Sequence, residues 1–186
     1  MSSIYLLKSN VRDHSSFIQT MDDDEDSIMA LAMDQNWQAF AKPPSPISLE
    51  LRKSDSGKKN YQFDISGALR PFFVISEPAL DVLGDILKPR GQVLPVKTDS
   101  QKKQFFGYYP TNTLTGCFDK ERSIYRVAKK GLLIERVVLI SAHIKDDYLF
   151  SIEEDFTRVF VTSAFKRRVE EAGLTGFDFS SEIETS

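Results

Sequence analysis

Two stretches of the chain repeat one pattern, and that pattern most constrains the fold: Phe72-Phe73-Val74-Ile75-Ser76-Glu77-Pro78-Ala79-Leu80 and Val159-Phe160-Val161-Thr162-Ser163-Ala164-Phe165. In each, a β-branched and aromatic run ends in a serine, and apolar residues at helical spacing follow. A serine at such a junction accepts a hydrogen bond from the free amides of a helix's first turn. In the first copy Glu77 places negative charge where the helix dipole favours it, and Pro78 sits where a missing N–H costs little. Leu80, Leu83, Ile86 and Leu87 then recur at helical spacing until Pro89-Arg90-Gly91 ends the run. In the second copy Ser163 opens the helix, Ala164, Phe165, Val169 and Ala172 face inward, and Gly173 closes it in a left-handed conformation.

Strand patterns surround these units. Ile4 to Lys8 reads as a first strand, and Ile47, Leu49 and Leu51 alternate with polar residues, as do Tyr61, Phe63 and Ile65, so that a hairpin from Leu49 to Ile65 turns at Asp55-Ser56-Gly57. Residues 92–98, the aromatic-rich 104–110, 148–152 and 158–162 are further strands, and 132–140 reads as a central one. The expected fold is α+β: a mixed, mainly antiparallel sheet with two clear helices each following a strand, plus a short N-terminal helical segment. With 186 residues, 41% of them hydrophobic, the chain suits a single domain over 1–186. Within it, 1–64 holds the first strand, an acidic segment and the hairpin, 65–183 the core, and 184–186 a frayed tail.

Composition narrows the function. A formal net charge of −3 gives no general field for a phosphate backbone, and Lys58-Lys59, Lys102-Lys103, Lys129-Lys130 and Lys166-Arg167-Arg168 are short and scattered, so no direct nucleic-acid partner is expected. The apolar run after Met1 is too short for a signal peptide, and no stretch approaches a membrane span, so no membrane partner is expected. A single cysteine, Cys117, fits a reducing compartment, and the cytoplasm is the expected location.

The chemistry of an active site is largely missing. Cys117 would need a base, and His14 and His143 are not near it in sequence. His143 with Asp146-Asp147 reads more simply as a turn between two strands. The carboxylates Asp22, Asp23, Asp24, Glu25 and Asp26 lack the glycine and alternation of a calcium loop, and form either a helix's first turn or a solvated loop. No glycine-rich phosphate loop occurs, and Ser76 has no flanking glycine of a nucleophile elbow. No catalytic, cofactor-binding or metal-ligating residue is therefore assigned, no cofactor is implied, and the chain is not read as an enzyme.

Two surface-type signals remain: the carboxylates 22–26 with Glu153, Glu154 and Asp155, and the aromatics Phe105, Phe106, Tyr108 and Tyr109. The order of Phe73-Val74-Ile75-Ser76-Glu77, Gln92-Val93-Leu94-Pro95-Val96 and Val159-Phe160-Val161-Thr162-Ser163, leading to Glu170-Glu171-Ala172-Gly173-Leu174-Thr175-Gly176-Phe177-Asp178-Phe179, resembles the eleventh numbered family of bacterial polymorphic-toxin immunity proteins. The resemblance spans roughly 65–183, with a weaker echo in 4–8, and departs from the family at Thr162 and in the acidic insertion near Asp22. It implies a non-catalytic cytoplasmic protein that binds and neutralises a cognate toxin domain, such as a nuclease with a basic cleft. The interface expected on that reading is Asp22, Asp23, Asp24, Glu25, Asp26, Glu153, Glu154 and Asp155, with Trp37, Tyr108 and Tyr109 as anchors. The alternatives are a small enzyme or ligand-binding domain with a pocket near His143 and Asp147, and a general interaction adaptor.

Overall fold

The structure, a computed structural model, describes residues 2–22, 25–53 and 60–186. In chain order the first strands are β1 (Ile4–Leu6), β2 (Lys8–Ser9), β3 (Phe17–Gln19) and β4 (Ile47–Leu51), with helix α1 (Ile28–Asp34) before β4. Next come β5 (Ile65–Ser66), β6 (Phe73–Ser76), helix α2 (Glu77–Arg90), β7 (Gly91–Lys97), β8 (Phe105–Pro110) and β9 (Thr113–Leu114). Then follow β10 (Ile124–Ala128), β11 (Gly131–Arg136), β12 (Val138–Leu139), β13 (Leu149–Ile152) and β14 (Phe160–Thr162). Helix α3 (Ser163–Glu171), β15 (Phe177–Asp178) and β16 (Glu182–Thr185) complete the order.

These elements make the protein mostly β, which corrects the α+β expectation. Strand accounts for 35% and helix for 19%, and the sheets curl into a half-barrel and a near-barrel. One six-stranded sheet runs β12-β16-β1-β14-β13-β9 and the other β3-β4-β7-β8-β6-β5. Most pairs are antiparallel; β4 with β7, β12 with β16 and β13 with β9 are parallel. The excess of strand over expectation lies in segments such as β2, β5, β9, β12 and β15, each two residues long, which are too short to show alternation in a sequence.

The repeated unit folds as strand then helix in both copies, but the caps differ. Ser76 caps α2 by accepting from the Ala79 N–H at 3.2 Å. In the second copy the cap is Thr162, which accepts from the Phe165 N–H, so Ser163 is already the first helical residue. Threonine serves as well as serine here because the hydroxyl alone does the capping. Gly173 takes φ +65° and turns the chain out of α3.

Three other expectations are corrected. The hairpin from Leu49 to Ile65 does not form, because β4 pairs with β3 and β7 while β5 pairs with β6; its supposed turn lies outside the described residues. Residues 132–140 are not one central strand: β11 belongs to a two-stranded hairpin with β10, and β12 sits at the edge of the first sheet. The tail does not fray. β16 lies between β1 and β12, and the Ser186 N–H donates to the Leu139 carbonyl at 2.8 Å.

The first sheet divides the interior. Val161 and Leu149, paired on one face, join the larger apolar cluster with Leu83 and Ile86 of α2 and Phe165 and Val169 of α3. On the other face Phe150 and Phe160, also paired, join Ile4, Cys117, Phe118, Leu139 and Ile152 in a second cluster. Burial on both faces explains the unbroken apolar runs of β13 and β14. The β10–β11 hairpin covers the second cluster with Tyr125, Leu132 and Ile134.

Candidate functional site

The expected aromatic anchors belong to the core. Trp37 is 2% exposed, Tyr108 1% and Tyr109 0%. Trp37 stacks on Tyr109 with ring centroids 6.0 Å apart, and the Trp37 N–H donates to the Tyr109 hydroxyl at 2.8 Å. That hydroxyl donates onward to the Ala32 carbonyl at 2.9 Å, and the Tyr108 hydroxyl donates to the Leu87 carbonyl at 2.8 Å. Burial raises both phenols, Tyr109 to about 12 despite the Trp37 amide, which favours its anion. Strand alternation does not reveal this arrangement, because β8 is covered on both sides.

The second carboxylate group is divided. Glu153 is exposed, whereas Asp155 is buried and accepts from the Thr157 N–H at 2.9 Å and from Arg158 Nη1 at 2.6 Å. The Asp155 carbonyl also accepts from Trp37 Nε1 at 2.8 Å, so this residue ties two distant segments together. Glu154 lies partly inside; burial raises its carboxyl, and Glu153 pushes the same way. Asp155 is thus a structural residue and offers no carboxylate to a partner.

The first carboxylate group keeps its surface character where described. Asp22, Glu25 and Asp26 are exposed; Asp23 and Asp24 lie outside the described residues. Asp22, Glu25 and Asp26 stand outside α1, which begins at Ile28 and takes its leading hydrogen bond from Gln19, whose Oε1 accepts from the Ile28 N–H at 2.8 Å. Glu25 and Asp26 line a cleft of about 260 Å³ whose apolar wall is Leu31, Pro44, Pro46 and Ile47. Carboxylates beside an apolar wall can bind a cationic, partly apolar surface by charge and contact together.

The residues of the enzyme alternative are not brought into one pocket. His143, in a 3-10 turn at Ser141–His143, places Nδ1 2.6 Å from the Gly116 carbonyl and lines a cleft with Thr113, Leu114, Thr115 and Lys145. Asp147 lines a different cleft with Ser2, Ile4, Tyr148 and Ala164, and its carbonyl accepts from the Thr162 hydroxyl. Asp146 is held by Arg90 at 2.9 Å and by the backbone amides of Tyr148 and Leu149. Cys117 is fully buried, and its thiol donates to the His143 carbonyl at 3.3 Å. Burial raises that thiol, with Glu154 and Glu153 adding to the effect, which opposes formation of a thiolate.

Among the described residues the β10–β11 hairpin carries three of the six exposed large hydrophobic side chains: Ile124, Val127 and Leu133. Among the described residues no helix is long and apolar enough to cross a membrane, and no three His, Cys, Asp or Glu side chains come together as metal ligands would. Neither a family model nor any curated protein matches this chain.

Proposed function

We propose that this protein is a non-catalytic immunity protein, which binds a cognate bacterial toxin domain and neutralises it in the producing cell. The observation that supports this reading is the cleft at Glu25 and Asp26, where exposed carboxylates border an apolar wall formed by Leu31, Pro44, Pro46 and Ile47. A toxin with a basic cleft, such as a nuclease, presents the complement: cations that would otherwise hold phosphate, around apolar contact area. Asp22, Glu25 and Asp26, with Asp23 and Asp24 in the same run, form the acidic half of the interface. Trp37, Tyr108 and Tyr109 act from inside, by holding the scaffold on which the cleft is built.

Co-expression with the product of the neighbouring gene, which on this reading carries the toxin domain, tests the reading; a neighbour that is not toxic counts against it. Rescue of growth by the wild-type chain is expected, and toxicity undiminished by it would overturn the proposal. Replacing Asp22, Glu25 and Asp26 by lysine should weaken toxin binding at least about tenfold and flatten its salt dependence, because exposed charge pairs act through a screened field. Unchanged affinity and salt slope would remove the cleft from the interface.

A further inference from the structure

The β10–β11 hairpin is built as a rigid, one-sided platform. Its register pairs Tyr125 with Ile134, Arg126 with Leu133 and Val127 with Leu132, and a two-residue turn, Lys129-Lys130, joins the strands. Alternation sends Tyr125, Leu132 and Ile134 to one face, where they meet the second apolar cluster. Ile124, Arg126 and Leu133 go to the other face, which is open to solvent. Ile124 is 49% exposed and Leu133 48%, while Val127, on the inward face beyond the end of the core, is 81% exposed.

Four contacts fix this platform in place. The Tyr125 ring meets Phe118 edge-on at 5.4 Å, Arg158 Nη2 donates to the Ile134 carbonyl at 2.9 Å, and Arg136 Nη2 donates to the Arg122 carbonyl at 2.9 Å. At Gly131, whose φ is +131°, a Cβ would stand 2.9 Å from the Phe156 ring, so the turn sits directly on that ring. A surface held this way loses little conformational freedom when it binds.

Its charge opposes that of the whole chain. Residues 120–136 hold six cations and two carboxylates, against a net −3 for the protein. Arg122 and Arg136 are paired with Glu184, whereas Arg126, Lys129 and Lys130 make no ion pair among the described residues. Lysines that keep a strand edge from aggregating would account for Lys129 and Lys130, but not for three exposed aliphatic side chains beside them.

We infer that the open face of this hairpin docks a protein surface that has an apolar centre rimmed by carboxylates. On the immunity reading, on which the identity of the occupant rests, that surface is an acidic flank of the toxin, outside the basic cleft met by Glu25 and Asp26. Ile124 and Leu133 supply the apolar contact, and Arg126 between them with Lys129 and Lys130 at the turn supplies the complementary charge. A lipid surface fits less well, because the turn that would enter it first is a lysine pair and the aliphatic residues are set back. A phosphate backbone would leave Ile124 and Leu133 without a role.

Isothermal titration of the neighbouring gene's product, which the immunity reading expects to carry the toxin domain, at two salt concentrations, tests this with two hairpin variants. Leu133→Asp, on the docking face, and the pair Lys129→Glu/Lys130→Glu at its turn alter exposed side chains, and unchanged melting curves will verify that the fold is kept. Each is expected to weaken binding at least about tenfold, the lysine pair also flattening the salt dependence. Wild-type binding with both variants unchanged would overturn the hairpin proposal and leave the immunity reading standing. No wild-type binding would overturn both. Binding to phosphatidylserine vesicles or duplex DNA that the lysine variant alone abolishes, with toxin affinity intact, would also overturn it by assigning the hairpin to another class of partner.

Discussion

Strands β14 and β11 carry nearly equivalent apolar triplets, Val159-Phe160-Val161 leading into one and Leu132-Leu133-Ile134 within the other, and the fold uses them differently. Around β14 every residue of the triplet is buried, with Val161 in one cluster and Phe160 in the other. In β11, Leu132 and Ile134 reach the second cluster while Leu133 stands half in water. The two triplets differ in what covers their second face. β14 has helices and a second sheet on one side and the hairpin on the other; β11 has a core on one side and solvent on the other. Local apolarity gives strand propensity, and tertiary cover decides how many faces are paid for with buried area.

The largest effect that separates the two is expected at Phe160. This side chain is fully buried, stacked on Phe150 with centroids 5.6 Å apart, and Phe160→Ala should cost about 3–5 kcal/mol through lost transfer energy and the cavity left behind. Denaturant titration of the two proteins would measure it. A loss under about 1 kcal/mol would show that the second cluster collapses around the gap, and would erase the contrast with the hairpin.

A middle-sized effect is expected at the polar knot that joins the two repeated units. Asp64 is buried, accepts from the Ser76 hydroxyl at 2.6 Å and the Thr175 N–H at 2.7 Å, and pairs with Lys103 at 2.9 Å. Burial pushes its carboxyl up, but the Ser76, Thr175 and Lys103 contacts together outweigh this and hold it below the ordinary carboxylate value. A depressed folded value means that the contribution is full above the unfolded carboxylate's titration, near pH 4, and is lost as pH falls through the folded value. Asp64→Asn should therefore cost about 1–3 kcal/mol at neutral pH and flatten the acid limb of a stability–pH curve. An acid limb identical to wild type would mean that this carboxylate is not what holds the units together.

Sequence reading reached what local chemistry determines. Ser76, Glu77 and Pro78 mark the start of α2 because capping, dipole and backbone terms act within one turn, and Gly173 marks the end of α3 for the same reason. It misplaced Ser163 as a cap because either of two adjacent hydroxyl residues satisfies the pattern, and the backbone selects Thr162. Tyr108 and Tyr109 looked like surface anchors because β8 lacks polar alternation, a pattern shared by exposed aromatic strands and doubly covered ones. The pairing of β16 with β1 and β12 was illegible since Glu182 and Glu184 resemble a solvated tail, and only the position of β1 makes the strand. Of the candidate site, Asp22, Glu25 and Asp26 could be read as surface charge, but the apolar wall beside them comes from Pro44, Pro46 and Ile47, which the chain brings back from another segment.

The smallest effect is expected at Leu133, and it completes the contrast with Phe160. Leu133→Ser removes an aliphatic side chain from the solvent face of the hairpin without touching Tyr125, Leu132 or Ile134 beneath it. The register is pinned from the inner face and by Gly131 at the turn, so strand pairing should survive. Stability should change by no more than about 0.5 kcal/mol in the same denaturant titration, as for other surface substitutions. A loss approaching that of Phe160→Ala would mean that the open face is covered in the folded protein and that the hairpin is a second core layer. A near-zero change, by contrast, means that the open face has no covering layer in the folded chain, and the contrast with Phe160 stands as one of tertiary cover and not of local apolarity.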